Sequence, residues 1–364
     1  MDSKVFNVGV DLGGTNIKFG IVDEDGVVVE QEREKTLASR GSTAIIATII
    51  HGIDAILKRR GLSLEQIASI GLGIPGTTDS SRGVVLFAPN IFWRNVEVSR
   101  VIQRSFNVPV YVAQDTRAAV WGEYLVGAGR GYSSIASLTL GTGVGCGMVL
   151  DGKIFHGALN AAGEFGHQLV EVDGSECNCG RCGCLEAYAG GLSIVRQARE
   201  KIVGIEALLH KNLDDVEVFD VFHLANEGNP DALRLTSSVV RTIGIGLVNL
   251  VNLTSVELIS ISGGVCNAPS KLLLDPLIEF VRSHAYESTA YKVQICRSAL
   301  GEDAPLIGAA LLYRERAVNP RGVQVSARDV ANELAGVQES RRSNFNAMSI
   351  ETRKPQEIGG EICS

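Results

Sequence analysis

Two glycine turns constrain this chain more than any other feature. Leu12-Gly13-Gly14-Thr15 stands between the apolar runs "VFNVGVD" and "IKFGIVD", and Leu140-Gly141-Thr142-Gly143 stands between "SSIASLT" and "VGCGMVL". In each case the second run leads to an Asp-Gly turn, Asp25-Gly26 or Asp151-Gly152. Each unit reads as a β-hairpin, and its recurrence in the second half reads as an internal duplication. Gly141 and Gly143 have the G-x-G spacing of a dinucleotide fingerprint, but that motif needs a helix after its glycines. Here "MVLDGKIF" follows, which is strand, and neither turn carries a Walker A lysine. What remains is a pair of tight turns whose glycines let backbone N–H groups approach an anion. Facing one another across a cleft, they would cradle a polyphosphate. Asp11, just ahead of the first, adds an acid suited to a magnesium-bound water.

The rest of the chain mixes helices and strands, which implies an α/β fold. Residues Ser42 to Arg59 carry isoleucines at helical spacing, and strands follow at Ile67 to Pro75 and Pro109 to Asp115. A helical pattern covers Ala118 to Leu125. The long helical stretch Ala232 to Leu253 leads into the strand "VELISIS" and a third glycine turn, Gly263-Gly264-Val265. Helices are expected near Lys271 to Ser283 and Leu306 to Arg316. At 364 residues the chain exceeds the ~250–300 at which single cores stop growing, so two lobes are expected. From Val318 the chain turns polar, and residues 318–364 read as a mobile tail, with an extra helix at "ARDVANELAGV" as the alternative.

Charge excludes one class of partner. The formal charge is −7 and no Lys/Arg-rich run occurs, so nucleic acid is not expected. No apolar run reaches the ~18–20 residues that span a bilayer, and the start lacks a charged region followed by an apolar one. A cytoplasmic protein without a membrane partner is expected.

Four of the eight cysteines, Cys177, Cys179, Cys182 and Cys184, crowd into "CNCGRCGC", and the others are scattered. That pattern reads as a metal site plus reduced thiols. A structural zinc takes four N/S ligands tetrahedrally. The residues themselves leave open an all-cysteine site or one in which His167 replaces Cys182.

The segments "DLGGTNIKFG", "GIPGTTD", "LGTGVGCG", "AAGEFGH" with "CNCGRCGCLE", and "SISGGV" resemble, in that order, those of the ROK family of sugar kinases and sugar-responsive repressors, within the actin-like ATPase superfamily. The resemblance spans about Val5 to Arg316. It implies a two-lobed actin-like ATPase, or ribonuclease H-like, fold with an inserted zinc-binding loop. The lobes would be residues 1–116, with a helix at about 304–317 packing back on them, and residues 117–303. ATP and a sugar would share the cleft, commonly in a homodimer or higher homo-oligomer.

The resemblance also implies site residues. Asp11, Gly13, Gly14, Thr15, Asn16 and Lys18 form its first phosphate segment, Gly141, Thr142 and Gly143 its second, and Gly263 and Gly264 its adenosine segment. His167, Cys177, Cys179 and Cys184 match its zinc ligands, with Cys182 on a variable position. Gly76, Asn90, Gln114, Glu164, His167 and Glu186 would meet the sugar, and Asp115 matches the catalytic acid. An Asp at a helix start is otherwise more often a cap than a base. Gln114 departs from the family's usual Asn. The implied activity is transfer of the ATP γ-phosphate to the 6-hydroxyl of a hexose, glucose first. An N-acetylhexosamine such as N-acetylmannosamine is the alternative substrate, and a non-catalytic sugar sensor the alternative class. The repressors' N-terminal DNA-binding domain is not expected, because the first phosphate segment begins by Val10.

Overall fold

A computed structural model describes residues 5–318; the expected polar tail beyond them, with its alternative helix at "ARDVANELAGV", lies outside the described residues. The first half runs β1 (Phe6–Leu12), β2 (Asn16–Val22), β3 (Val28–Lys35), α1 (Gly41–Arg60), β4 (Ile67–Ile74), β5 (Thr77–Asp79), β6 (Val84–Ala88), β7 (Trp93–Val96), α2 (Val98–Phe106), β8 (Val110–Gln114) and α3 (Asp115–Val126). The second runs β9 (Ile135–Leu140), β10 (Val144–Leu150), β11 (Lys153–Ile154), α4 (Glu186–Ala189), α5 (Gly191–Lys201), α6 (Ile205–Leu209), α7 (Val218–Asn226), α8 (Pro230–Thr254), β12 (Leu258–Ser262), α9 (Leu274–His284), α10 (Glu287–Ala290) and β13 (Gln294–Arg297). The short helices α11 (Ala304–Ala310) and α12 (Tyr313–Val318) follow.

The duplication is visible in the sheets. One has the order β3-β2-β1-β4-β8 and the other β11-β10-β9-β12-β13. In each, three strands meander antiparallel and two more join parallel. Strands β5, β6 and β7 form a small third sheet. The opening hairpin is thus part of a three-stranded meander. Its third strand, "VVEQEREK", is charged and half exposed because it lies at a sheet edge, where charge discourages further pairing.

Each large sheet has its own apolar core, and a third cluster around Val120, Trp121, Ile135, Val149, Leu258 and Ile307 joins them. Helices α3 and α11 lie in that junction. A Cβ at Gly71 would stand 1.7 Å from the Ala309 oxygen, and one at Gly308 would stand 1.7 Å from the Ala118 oxygen. Only bare backbone permits these approaches. The boundary expected at residues 116–117 falls in the first turn of α3, which is one continuous helix.

The helix expected at Leu306 to Arg316 is two. Trp121 Nε1 donates to the Leu311 oxygen at 2.9 Å, and the chain turns there before α12 begins. Two helical stretches, Ala38–Arg60 and Pro230–Thr254, have the length and mean hydropathy of a membrane span, although the sequence contains no unbroken apolar run of that length. Their apolar faces are used inside the fold. Ile45, Ile49, Ile53 and Ile56 are buried in the first core, and Leu235, Val239, Ile243 and Leu247 in the second.

Candidate active site

The first glycine turn is held by its own hairpin and by one buried threonine. Gly13 N donates to the Asn16 oxygen at 2.9 Å, while Thr36 Oγ1 donates to the Gly13 oxygen at 2.7 Å and Thr36 N to the Thr15 oxygen at 2.9 Å. Thr36 lies outside every motif read from the sequence. Gly14 and Thr15 are exposed at the tip. In the register of the sheet Asp11 faces Lys18 on one side and Gly73 on the other. Lys18 is buried, donates to the Glu302 oxygen at 2.7 Å and stands 3.6 Å from the Asp303 carboxylate.

The second turn is held by the segment that follows the cysteines. Gly191 N donates to the Gly141 oxygen at 2.8 Å and Leu192 N to the Thr142 oxygen at 3.2 Å. Glu186 accepts the Val144 N–H at 2.7 Å, so this acid supports the second glycine hairpin directly. Gly263 adopts φ +92°, and a Cβ there would meet the Leu140 oxygen at 2.4 Å. The third glycine turn therefore packs on the end of the second hairpin's first strand. Beyond it lies a cavity of about 210 Å³ lined by Phe219, Phe222, His223, Asn226, Gly264 and Asn267. Apart from Gly264, these residues carry no motif, and only folding brings α7 against this turn.

Asp115 ends the link from β8 into α3, and its Oδ1 accepts the Thr116 N–H at 2.7 Å. Burial raises this carboxyl above the ordinary carboxylate range, Glu164 adds to the rise, and Arg117 opposes it. Asp11 is pushed up to about 7, first by burial and then by Asp115, with Lys18 and Arg33 pulling the other way. Asp11, Asp115 and Glu164 thus form one acidic neighbourhood. Beside it, the Gln114 side-chain oxygen is buried without a hydrogen-bond partner, which is costly unless a ligand supplies a donor. Asn90 is exposed in a turn close to Gly14, a Cβ on which would lie 3.9 Å from the Asn90 Cβ. Gly76 turns the chain after β4 with φ +91°.

The raised Asp11 carboxyl has a sign that can be measured. It binds its proton more tightly folded than unfolded, so its contribution to stability is full below about 3.8 and is lost as pH rises through about 7. Without nucleotide, the melting temperature of Asp11→Asn is expected to fall less than the parent's between pH 5 and pH 8, and to lie above it at pH 8. Parallel curves would contradict the raised value.

His167, Cys177, Cys179 and Cys184 bring one ligand atom each within 4.8 Å of one another; Cys182 is not in the group. His167 Nδ1 is 3.8 Å from Cys177 Sγ, and Cys179 Sγ is 3.7 Å from Cys184 Sγ. A tetrahedral ion with ~2.3 Å metal–sulfur bonds has edges of about 3.8 Å. Burial first of all pushes the Cys184 thiol up to about 12, and a cation among the sulfurs would let them ionise together. The donor set and spacing fit zinc.

The ROK family's sequence profile matches residues 7–316. The chain belongs to the ROK family. Among curated ROK relatives, the glucokinase of Thermotoga maritima is 34% identical over 314 residues, covering 85% of this chain and 97% of its own. The xylose repressor of Caldicellulosiruptor bescii is 29% identical, covering 83% of this chain and 76% of its own. Among solved structures, a ROK glucokinase from Streptomyces griseus in complex with glucose and AMPPNP matches with a TM-score of 0.72 and 33% identity, over 85% of this chain and 99% of its own. The duplicated α/β architecture is therefore that of ROK glucokinases, and the likeness supports sugar kinase activity.

Proposed function

We propose that this ROK protein transfers the γ-phosphoryl group of ATP to the 6-hydroxyl of a hexose, with glucose the first substrate to test. One observation carries the reading: the half-buried Asp115 carboxylate stands at the start of α3 in one acidic neighbourhood with Asp11 and Glu164, beside the unpartnered Gln114 oxygen. The two glycine turns would hold the phosphates through backbone N–H groups, and the cavity at Gly264 would receive the nucleoside. Magnesium, held through Asp11, would offset the phosphate charge. Asp115 would orient the 6-hydroxyl and take its proton as the oxygen bonds to phosphorus and ADP leaves.

Zinc at His167, Cys177, Cys179 and Cys184 would supply rigidity. With Nδ1 facing Cys177, His167 is left Nε2 for a sugar hydroxyl. Glu164, Gln114 and the Glu186 oxygen not taken by Val144 complete the sugar contacts in this reading, with Asn90 and Gly76 at their edge. The presence of both repressors and kinases among the relatives makes a sugar sensor the second reading; the retained Asp11 and Asp115 favour the kinase.

A coupled ADP-release assay across glucose, mannose, fructose and their N-acetyl relatives tests the proposal. Glucose is expected to give the highest kcat/KM, and deoxyglucoses lower values because a missing hydroxyl strands buried polar groups. An N-acetylhexosamine in first place would replace glucose in the assignment. No hexose-dependent ADP release would end the kinase reading.

A further inference from the structure

Arg117 lies two residues beyond Asp115 on α3, is 1% exposed, and belongs to none of the motifs above. Its Nη2 donates to the backbone oxygens of Asn160 at 2.9 Å and Ala162 at 3.0 Å, with the His156 oxygen at 3.5 Å. These carbonyls belong to the loop that leaves β11 and delivers Glu164 and His167. The loop closes on itself through Ala162 N donating to the His156 oxygen at 3.1 Å, and not one residue from Phe155 to Glu164 is buried. With no apolar anchor in the loop itself, the guanidinium takes the place of a core. His156 is further tied to α12 by its Nε2, 2.7 Å from Glu315.

We infer that Arg117 is a positioning residue that fixes the 156–164 loop on α3, and so sets Glu164 against Asp115 at the sugar site. A lysine would keep the charge but lacks the planar guanidinium, so it would hold the loop less well. A buried charge held by carbonyls would be costly to keep for packing alone, whereas fixing a recognition loop to the helix that starts with the base gives it a use. The inference rests on the hexose-kinase reading, in which Glu164 meets the sugar.

The test compares the zinc-replete unmodified protein with Arg117→Met and Arg117→Lys, measuring kcat, KM for glucose and for ATP, zinc content and melting temperature. Displacement of Glu164 by about 1 Å can cost up to about 100-fold, so Arg117→Met is expected to raise KM for glucose at least about tenfold while KM for ATP and zinc content stay near the parent's. Arg117→Lys should recover part of the loss. A lower melting temperature with an unchanged KM for glucose, or equal losses for both substrates, would assign Arg117 to structure alone and overturn the inference. If Arg117→Met does not fold, the same ratio in Arg117→Lys decides. If the unmodified protein turns over no hexose, the kinase reading fails separately, and glucose binding by calorimetry in the three proteins decides the role of Arg117.

Discussion

Asp115→Asn is expected to lower kcat by about 10²–10⁴-fold while glucose affinity stays close to the parent's. Asparagine keeps the size of the side chain and can still accept the Thr116 N–H that Asp115 Oδ1 accepts at 2.7 Å, so α3 should begin as before. What it cannot do is take a proton from the attacking hydroxyl. The substitution also relieves the burial of a carboxyl beside Glu164, so melting temperature should hold or rise. That combination, a stable protein that binds sugar and barely turns over, separates a base from a cap. Loss of fold and activity together would mean that Asp115 serves α3 more than the chemistry.

Cys179→Ser is expected to take the metal from one zinc per chain to almost none and to weaken glucose binding by about 100-fold or more, because His167 and the segment leading to Glu186 lose their common anchor. Cys182→Ser, outside the converging group, should keep full zinc content. Elemental analysis and calorimetric titration with glucose read the two effects independently. Stoichiometric zinc in His167→Ala that is lost on removing Cys182 would put a fourth sulfur in place of the imidazole.

How much was legible in the sequence depended on whether the signal was local. The two glycine hairpins, the strand leading into Asp115 and the long helix α8 each rest on neighbours in the chain, and each stands where its pattern predicts. The equal strand orders of the two sheets bear out the duplication inferred from Leu12-Gly13 and Leu140-Gly141. Strand β3 was hidden because an edge strand can be charged, and the break before α12 because the Leu311 carbonyl there meets Trp121, which is far away in the chain. The candidate metal group was half legible. Spacing alone left His167 and Cys182 as competing ligands, and the fold brings His167 to the other three. The cavity beside Gly264 and the Arg117 grip on the 156–164 loop depend on segments that meet only when folded.

In the proposed function the acidic neighbourhood of Asp11, Asp115 and Glu164 serves phosphoryl transfer to a hexose. The most direct measurement incubates the zinc-replete protein with glucose, magnesium and ATP labelled at the γ-phosphate, and follows the label by phosphorus chemistry and chromatography. Label is expected in a sugar phosphate esterified at the 6-hydroxyl, formed one-to-one with ADP and lost in Asp115→Asn. A protein that binds hexose under these conditions yet leaves the label in ATP would contradict it.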